Sequence, residues 1–168
     1  FRRQRQMCIR DRQQNVQSYQ LQHVQLHQAA IWTADGRLTF YTDGTMGSSI
    51  ASGQQKNTVE VESVRLKNLL HKPVDFLKMD IEGAEYQVLI DTASELRHVR
   101  HLFVEYHGMY ADNDELIEML QLIRQQGFQV YIEDAAKIYQ SPFLSQKTGN
   151  WQFDIQLNIF CKRINKVQ

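Results

Sequence analysis

Cysteine is scarce in this 168-residue chain, and its two cysteines, Cys8 and Cys161, lie far apart. Neither has a partner at metal-ligand spacing, so the composition argues against a disulfide framework and against a zinc site. Net charge is lacking as well, because 19 lysines and arginines balance 19 aspartates and glutamates. No global electric field therefore favours nucleic acid or a membrane surface as a partner.

Long apolar runs are also missing. No stretch approaches the ~18 residues that a membrane-spanning helix needs. The polar first residues, Phe-Arg-Arg-Gln-Arg-Gln, are not followed by the apolar segment of a secretory signal. The length fits one domain with a buried core. We therefore predict a cytoplasmic domain that binds neither a membrane nor a nucleic acid, and the sequence does not indicate its oligomeric state.

The first twelve residues are predicted to be non-native. The segment from Met7 to Arg12 resembles a translated transposase adapter from sequencing-library preparation. The alternative is that the arginines of this segment form a basic arm that contacts nucleic acid. We favour the adapter origin, which gives residues 1–12 no functional role. Residues 13–168 are then expected to be the C-terminal portion of a domain whose native sequence continues upstream.

In the first half of the chain, alternating apolar residues predict short strands over 23–27, 37–41 and 58–64. The Asp35-Gly36 turn predicts a hairpin between the first strand segment and the second. The glycines and serines of residues 42–57 predict a loop.

The second half alternates between strands and helices. Strands are predicted over 74–79, 101–106, 128–132 and 151–161, and short helical segments over 64–70, 84–91 and 92–99. The clearest amphipathic helix covers 113–126, with Asn113 as its N-cap and Gly127 just past its end. This order predicts a mainly parallel sheet whose last two strands form an antiparallel edge, with Trp151, Phe153 and Phe160 packing there.

One strand end indicates a binding site. Residues 74–79 form the near-continuous apolar run expected of a strand covered on both faces, and the acidic turn with Asp80, Glu82 and Gly83 interrupts it. Ligands bind beyond the carboxyl ends of parallel strands in open α/β sheets, so the two carboxylates predict a site there. The structural alternative is that Asp80 caps the following helix and Glu82 favours its dipole.

A second strand ends nearby at Glu105 and His107. His107 is a candidate general base because the ordinary pKa of histidine lies near neutrality, and the alternative is a hydrogen-bonded structural histidine. Together with Asp80, the pair offers the ligands of a divalent cation. We expect no metal here and treat the cation as the less favoured alternative. Lys78 is expected to pair with a carboxylate or to extend towards solvent.

The segment Lys78–Glu85, which reads Lys-Met-Asp-Ile-Glu-Gly-Ala-Glu, resembles the FkbM family of S-adenosylmethionine-dependent methyltransferases. The signature of that family is a strand ending in Lys-x-Asp-x-Glu-Gly, followed by an Ala-Glu helix start. Weaker matches occur in the expected order over roughly residues 23–161. They are Ala29-Ala30, Asp35-Gly36, Ser48-Ser49 and Glu105-Tyr106-His107.

The resemblance implies an α/β fold with a Rossmann-like class I methyltransferase sheet, here lacking its first strands. It implies S-adenosylmethionine as cofactor and methyl transfer to an oxygen, with a hydroxyl of a sugar or secondary metabolite as the expected acceptor. Asp80 would position the acceptor or act as the base, with His107 as the alternative base. Glu82 and Glu105 would support Asp80 in this role or contact the substrate. Cofactor contacts would come from Gln28, Ala29, Ala30 and Asp80.

The sequence departs from the family in one respect. The glycine-rich cofactor loop, of the form Asp-x-Gly-Ala-x-x-Gly, and the acidic residue for the ribose do not occur before Val24. We expect truncation, and hence a chain that binds S-adenosylmethionine weakly and is inactive as it stands. The alternative function is a non-catalytic α/β module that recognises a carbohydrate or a protein. A nicotinamide-binding domain is disfavoured because no Gly-x-Gly-x-x-Gly fingerprint is present.

Overall fold

A computed structural model of the chain describes residues 9–41, 49–50 and 58–164. The helices and strands, in chain order, are α1 (Ile9–Ser18), β1 (Ala30–Trp32), β2 (Gly36–Tyr41), β3 (Ser49–Ile50), β4 (Thr58–Arg65), β5 (Val74–Met79), α2 (Glu85–Thr92), β6 (Val99–Gly108), α3 (Asn113–Gln125), β7 (Phe128–Asp134), β8 (Tyr139–Ser141), β9 (Gln146–Lys147) and β10 (Ile155–Arg163). Short 3₁₀ turns cover Leu66–Leu69, Ala93–His98, Tyr110–Asp112 and Pro142–Leu144. No helix of the described ranges is long and apolar enough to cross a membrane.

The chain divides into two compact units. The first comprises Phe1–Ala30 and Gly36–Ser63, and the second comprises Ile31–Asp35 and Val64–Gln168. The first sheet has the strand order β1-β4-β2-β3, in which β2 runs antiparallel to β4 and to β3. The hairpin predicted at Asp35-Gly36 is wrong, because β4 lies between β1 and β2. Six residues of β2 pair with β4, whereas β1 has only three residues with which β2 could have paired in a hairpin.

Two further predictions concern the first unit. The strand predicted over 23–27 is wrong, since residues 21–28 contain no strand. Val24 and Leu26 are 44% and 36% exposed, so their alternation with polar residues does not bury one face. Of the predicted loop over 42–57, the structure describes only Ser49–Ile50, which forms β3. Ser48 lies outside the described residues.

The second unit contains a four-stranded sheet of order β5-β6-β10-β7. β5 and β6 are parallel and are joined through α2, as a parallel pair requires a helical crossover. β10 runs antiparallel to both β6 and β7. The mixed α/β architecture and the antiparallel pairing of the last two long strands are confirmed. Of the three strand pairings in this sheet, however, only that of β5 with β6 is parallel, which differs from the predicted mainly parallel sheet. The segment between β7 and β10 contains no α-helix that could carry a parallel crossover.

One face of this sheet carries the core. α2 packs against α3 and β6, and α3 packs against β7. The side chains that alternate onto this face of β6 are fully buried, and they are Leu102, Val104 and Tyr106. Burial of each large apolar side chain contributes about 1.5–3 kcal/mol to folding. The helix boundaries follow the sequence closely, although Asp112 rather than Asn113 occupies the N-cap of α3, without a side-chain cap. Gly127 follows the helix with φ +85°, as predicted.

The opposite face of the sheet is open. Phe76 on β5 and Tyr131 on β7 are both 61% exposed, and Phe160 on β10 is 42% exposed. The prediction that β5 is covered on both faces is therefore wrong for the described residues. Phe103 and Phe160 contact edge to face, with ring centroids 5.0 Å apart. The carboxyl end of β6 on this same face carries the predicted site.

Candidate active site at the carboxyl ends of β5 and β6

Parallel pairing brings the two acidic strand ends together. The register of β5 and β6 matches Met79 with Val104, so the next residues along lie side by side: Asp80 just after the end of β5, and Glu105 within β6. His107 follows two residues later on the same face of β6. One ligand atom each from Asp80, Glu105 and His107 lies within 4.8 Å of the others. The structure thus assembles three of the four residues proposed as catalytic from the sequence.

The turn between β5 and α2 brings Glu82 to the same place. Glu82 and Gly83 both adopt left-handed backbone conformations, with φ of +55° and +97°. These angles reverse the chain and direct the Glu82 carboxylate towards His107, with 3.8 Å between Oε2 and Nε2. The helix-capping alternative for Asp80 is wrong, because Ala84 occupies the N-cap of α2 and no side chain caps it.

Glu85 organises this turn, and the sequence reasoning did not assign it to the site. Its side chain is fully buried. Oε1 accepts a hydrogen bond from the backbone N–H of Ile81 at 3.0 Å, and Oε2 accepts one from Gly83 at 2.9 Å. Oε1 also lies 3.2 Å from Nδ1 of His107. The signal in the sequence was the Ala-Glu helix start, which the family signature contains but which gives no indication of burial.

His107 is the most enclosed member of the cluster, with a side chain that is 4% exposed. Burial is the largest influence on its pKa and lowers it. The hydrogen bond to Glu85 and the charges of Glu85, Glu82 and Glu105 outweigh burial, so the pKa of His107 is raised above its usual value. The structural and functional interpretations of this histidine are therefore compatible. Nδ1 is held by Glu85, and Nε2 faces the acidic edge, which is formed by Asp80, Glu82 and Glu105.

The carboxylates also influence one another. Burial raises the pKa of Glu105 above its usual value, and the negative charge of Asp80 raises it further. Lys78 donates a hydrogen bond to Asp80 at 2.7 Å between Nζ and Oδ2, which confirms the predicted pairing of this lysine. The ammonium also lies 5.7 Å from the centre of the Phe103 ring. The edge is thus strongly acidic, with one described cation in direct contact.

Phe153 covers the site from the segment that precedes β10. Its ring centre lies 5.1 Å from that of His107, and a Cβ at Gly83 would lie 3.1 Å from Phe153 Cε1. The predicted strand over 151–161 begins only at Ile155, so Trp151 and Phe153 precede the strand and do not lie on it. Phe160 does lie on a strand, as predicted. The contact between Phe153 and His107 joins distant parts of the chain and had no local signal.

The residues proposed to contact the cofactor lie elsewhere in the chain. Gln28 and Ala29 precede β1, and Ala30 is its first residue. All three belong to the first compact unit, whereas the acidic cluster belongs to the second. Their assignment stays a prediction. A depression of about 450 Å³ occupies the open sheet face around Phe76, Phe103 and Tyr131, away from the strand ends that carry the acidic cluster.

The model of the methyltransferase FkbM domain matches residues 4–130. The chain belongs to this family. Neither a curated protein nor a solved structure matches it.

The FkbM match includes the whole acidic cluster. It covers β5, α2, β6 and α3 and ends at Val130 in β7, so β10 and Phe153 lie beyond it. It begins within residues 1–12, whose adapter origin stays a prediction. Membership of the FkbM family supports methyl transfer in general as the chemistry of this domain.

Proposed function

We propose that this domain transfers a methyl group from S-adenosylmethionine to an oxygen, with a hydroxyl of a sugar or secondary metabolite as acceptor. The observation that carries the proposal is the convergence of the FkbM signature carboxylates, Asp80 and Glu82, with Glu105 and His107 at one sheet edge. A small-molecule or glycan acceptor would enter from the open side of this edge. A cytoplasmic location, without nucleic-acid or membrane partners, is part of the same proposal.

The acidic edge has the chemistry to lie next to the cofactor. S-adenosylmethionine supplies an electrophilic methyl on a positively charged sulfur and leaves as a neutral thioether once an oxygen has taken the methyl. Carboxylates favour a positive charge placed beside them, and Asp80 is the member we assign to this contact. The assignment of Gln28, Ala29 and Ala30 to the adenine rests only on their order in the sequence.

The remaining side chains would prepare the acceptor. A neutral hydroxyl is a poor nucleophile, so it needs a group that accepts its proton or holds it in line with the methyl. We assign positioning or proton acceptance to Asp80, with His107 as the alternative base. Glu82 and Glu105 would contact the substrate, and Phe153 would limit access of water to His107.

The sheet supports the finer fold assignment. A parallel pair joined by a helix, and a reversed strand β10 inserted beside it, are compatible with the second half of a Rossmann-like class I sheet. Ligands in open α/β sheets bind beyond the carboxyl ends of such strands, which is where the acidic cluster lies. We therefore propose this arrangement for the second unit.

Transfer of a labelled methyl group from S-adenosylmethionine to a panel of sugars tests the function. The assay compares this chain with the product of the complete reading frame of its gene. We expect transfer by the complete product and weak cofactor binding by the chain alone. Asp80→Asn in the active form should reduce kcat at least 100-fold, because proton acceptance or positioning is lost. Circular dichroism checks that the variant is folded.

The matched control is Asp75→Asn, which removes the same charge from the opposite end of β5. Asp75 is exposed and lies five residues before Asp80, so transfer should be unchanged. Equal activity of Asp80→Asn and wild type would contradict the assignment of Asp80. Absence of methyl transfer in the complete product, with saturable carbohydrate binding, would favour the non-catalytic module instead.

A further inference from the structure

Three side chains at the acidic edge have the composition of a cation site. Asp80 and Glu105 offer carboxylate oxygens and His107 offers an imidazole nitrogen, and these atoms lie within 4.8 Å of one another. An ion with metal–oxygen bonds of about 2.1 Å holds opposite ligands about 4.2 Å apart. Three ligands cannot all lie opposite one another, and adjacent octahedral ligands are about 3.0 Å apart, so side-chain rotations would have to bring these atoms about 1–2 Å closer when an ion binds.

The state of His107 is a second, independent indication of a ligand. Its side chain is 96% buried, and Nε2 makes no hydrogen bond with any described residue. The nearest carboxylate oxygens, on Glu82 and Glu105, are 3.8 and 4.0 Å from Nε2. A ring nitrogen that faces two carboxylates at ion-pair distance needs either a proton or a cation between them.

The other nitrogen of His107 is held as metal-binding histidines are held. Nδ1 lies 3.2 Å from the fully buried carboxylate of Glu85. A histidine that donates Nδ1–H to a carboxylate presents the lone pair of Nε2 outward and becomes a more basic ligand. Glu85 is itself fixed by the backbone N–H groups of Ile81 and Gly83, so the ring orientation is set before any ion binds.

The negative charge of the site is only partly compensated by neighbouring side chains. Lys78 occupies only Oδ2 of Asp80, at 2.7 Å, so the second oxygen of that carboxylate is available. Asp80, Glu82 and Glu105 together carry more negative charge than Lys78 compensates. Hard carboxylate ligands suit Mg²⁺ and Mn²⁺, and Mn²⁺ also accepts an imidazole.

We propose that Asp80, Glu105 and His107 bind one divalent cation of the Mg²⁺ or Mn²⁺ class, which was the less favoured alternative from the sequence alone. Three protein ligands leave coordination positions for water and for an acceptor oxygen. The role of the cation in catalysis, unlike its binding, rests on the proposed function. In methyl transfer the cation would hold the acceptor hydroxyl and lower the pKa of that hydroxyl. Asp80 would then keep the positioning role assigned above and hold the acceptor through the cation, and Glu82, which contacts the substrate and is not a ligand, would accept the proton in place of His107.

Titration with Mn²⁺ alone, followed by electron paramagnetic resonance and calorimetry, tests the site in the chain without any cofactor. We expect one ion per chain. Glu105→Gln and Asp80→Asn should each weaken binding at least ten-fold, because each removes a ligand. Glu85→Gln should weaken it 10- to 100-fold through the lost support of His107. Two controls, Glu82→Gln and the distant Asp75→Asn, should stay within about three-fold of wild type.

Lack of Mn²⁺ binding by the folded chain at about 1 mM would overturn the proposal, since even weak protein sites for hard divalent cations bind in that range. Equal weakening by Glu82→Gln and Glu105→Gln would also overturn it, because it would indicate general attraction to an acidic surface. The titration contains no methyl donor, so its outcome is separate from that of the transfer assay. Mn²⁺ binding without methyl transfer would leave the cation site and remove the proposed function.

Discussion

At the scale of single residues, Glu85 determines the geometry of the acidic edge. It is a charged side chain with no exposed surface, which proteins tolerate only when its oxygens are satisfied. Both oxygens are used, by two backbone N–H groups and by His107. Glu85 thus positions the residues that the family signature places at the site, and it does so without facing the site itself.

Glu85→Gln should lower the free energy of unfolding by about 1–3 kcal/mol. Glutamine has the shape of glutamate, but one of its two terminal groups is a donor. In either orientation of the amide, its NH₂ group would face at least one of the two backbone N–H groups that now donate to Glu85, and two donors cannot form a hydrogen bond. Urea denaturation measures the change, and Asp75→Asn, an exposed carboxylate without a described partner, is the control. Unchanged stability would mean that these hydrogen bonds are replaced by water at no cost.

At the scale of elements, the turn between β5 and α2 is the segment to which we assign the function. Strand β5 and helix α2 are ordinary elements of an α/β unit, and the five residues between them include two of the carboxylates proposed for the site. Two successive left-handed residues, Glu82 and Gly83, allow the chain to reverse within the turn while Asp80 and Glu82 both face His107. Glycine at the second position also leaves space for the ring of Phe153.

Gly83→Ala should destabilise the protein by about 1–3 kcal/mol, because a residue with a Cβ resists a φ of +97°. The new methyl would also press on Phe153 at 3.1–3.3 Å and move it from His107. The change in unfolding free energy, measured by urea denaturation, gives the sum of the two effects. Gly149→Ala is the control, since its backbone is not left-handed and its nearest contact is an ordinary 3.5 Å. Similar losses in the two variants would exclude backbone strain as the cause.

At the scale of the whole molecule, the second unit is held together at the strand ends by polar contacts of Asp154. Its carboxylate accepts hydrogen bonds from the Tyr139 hydroxyl and from Lys147, each at 2.7 Å, and from the backbone N–H of Tyr110 at 3.2 Å. These contacts connect the β8–β9 hairpin to the segment after β6. The hydrogen bonds from Lys147 and Tyr139 lower the pKa of Asp154 from 3.8 to about 2.

The stability that Asp154 contributes should therefore depend on pH. A carboxyl whose pKa is lower in the folded state stabilises the fold fully above its unfolded pKa of 3.8, and this is lost as the pH falls towards 2. After allowance for solvent screening, we expect Asp154→Asn to lose about 1–2 kcal/mol at pH 7. The difference from wild type should shrink between pH 4 and pH 2.5 in urea denaturation at each pH. A difference that is constant over this range would show that charge is not its origin.

Much of the second unit follows from local patterns. β5, α2, β6, α3 and β7 lie within a few residues of their predicted bounds, because apolar periodicity and the Gly127 stop signal act over neighbouring residues. Several of the wrong predictions involve partners distant in the sequence. The neighbour of β2, the exposure of Phe76 and the insertion of β10 between β6 and β7 all depend on which strand arrives beside which.

The sequence by itself determined the family, the acidic strand end and the candidate residues Asp80, Glu82, Glu105 and His107, since these are short motifs at the ends of recognisable strands. Only the tertiary structure decided that the four converge, that Glu85 is buried beneath them and that Phe153 covers them. The reason is physical: parallel pairing of β5 and β6 brings together residues more than twenty positions apart, and the burial of a carboxylate depends on everything packed around it.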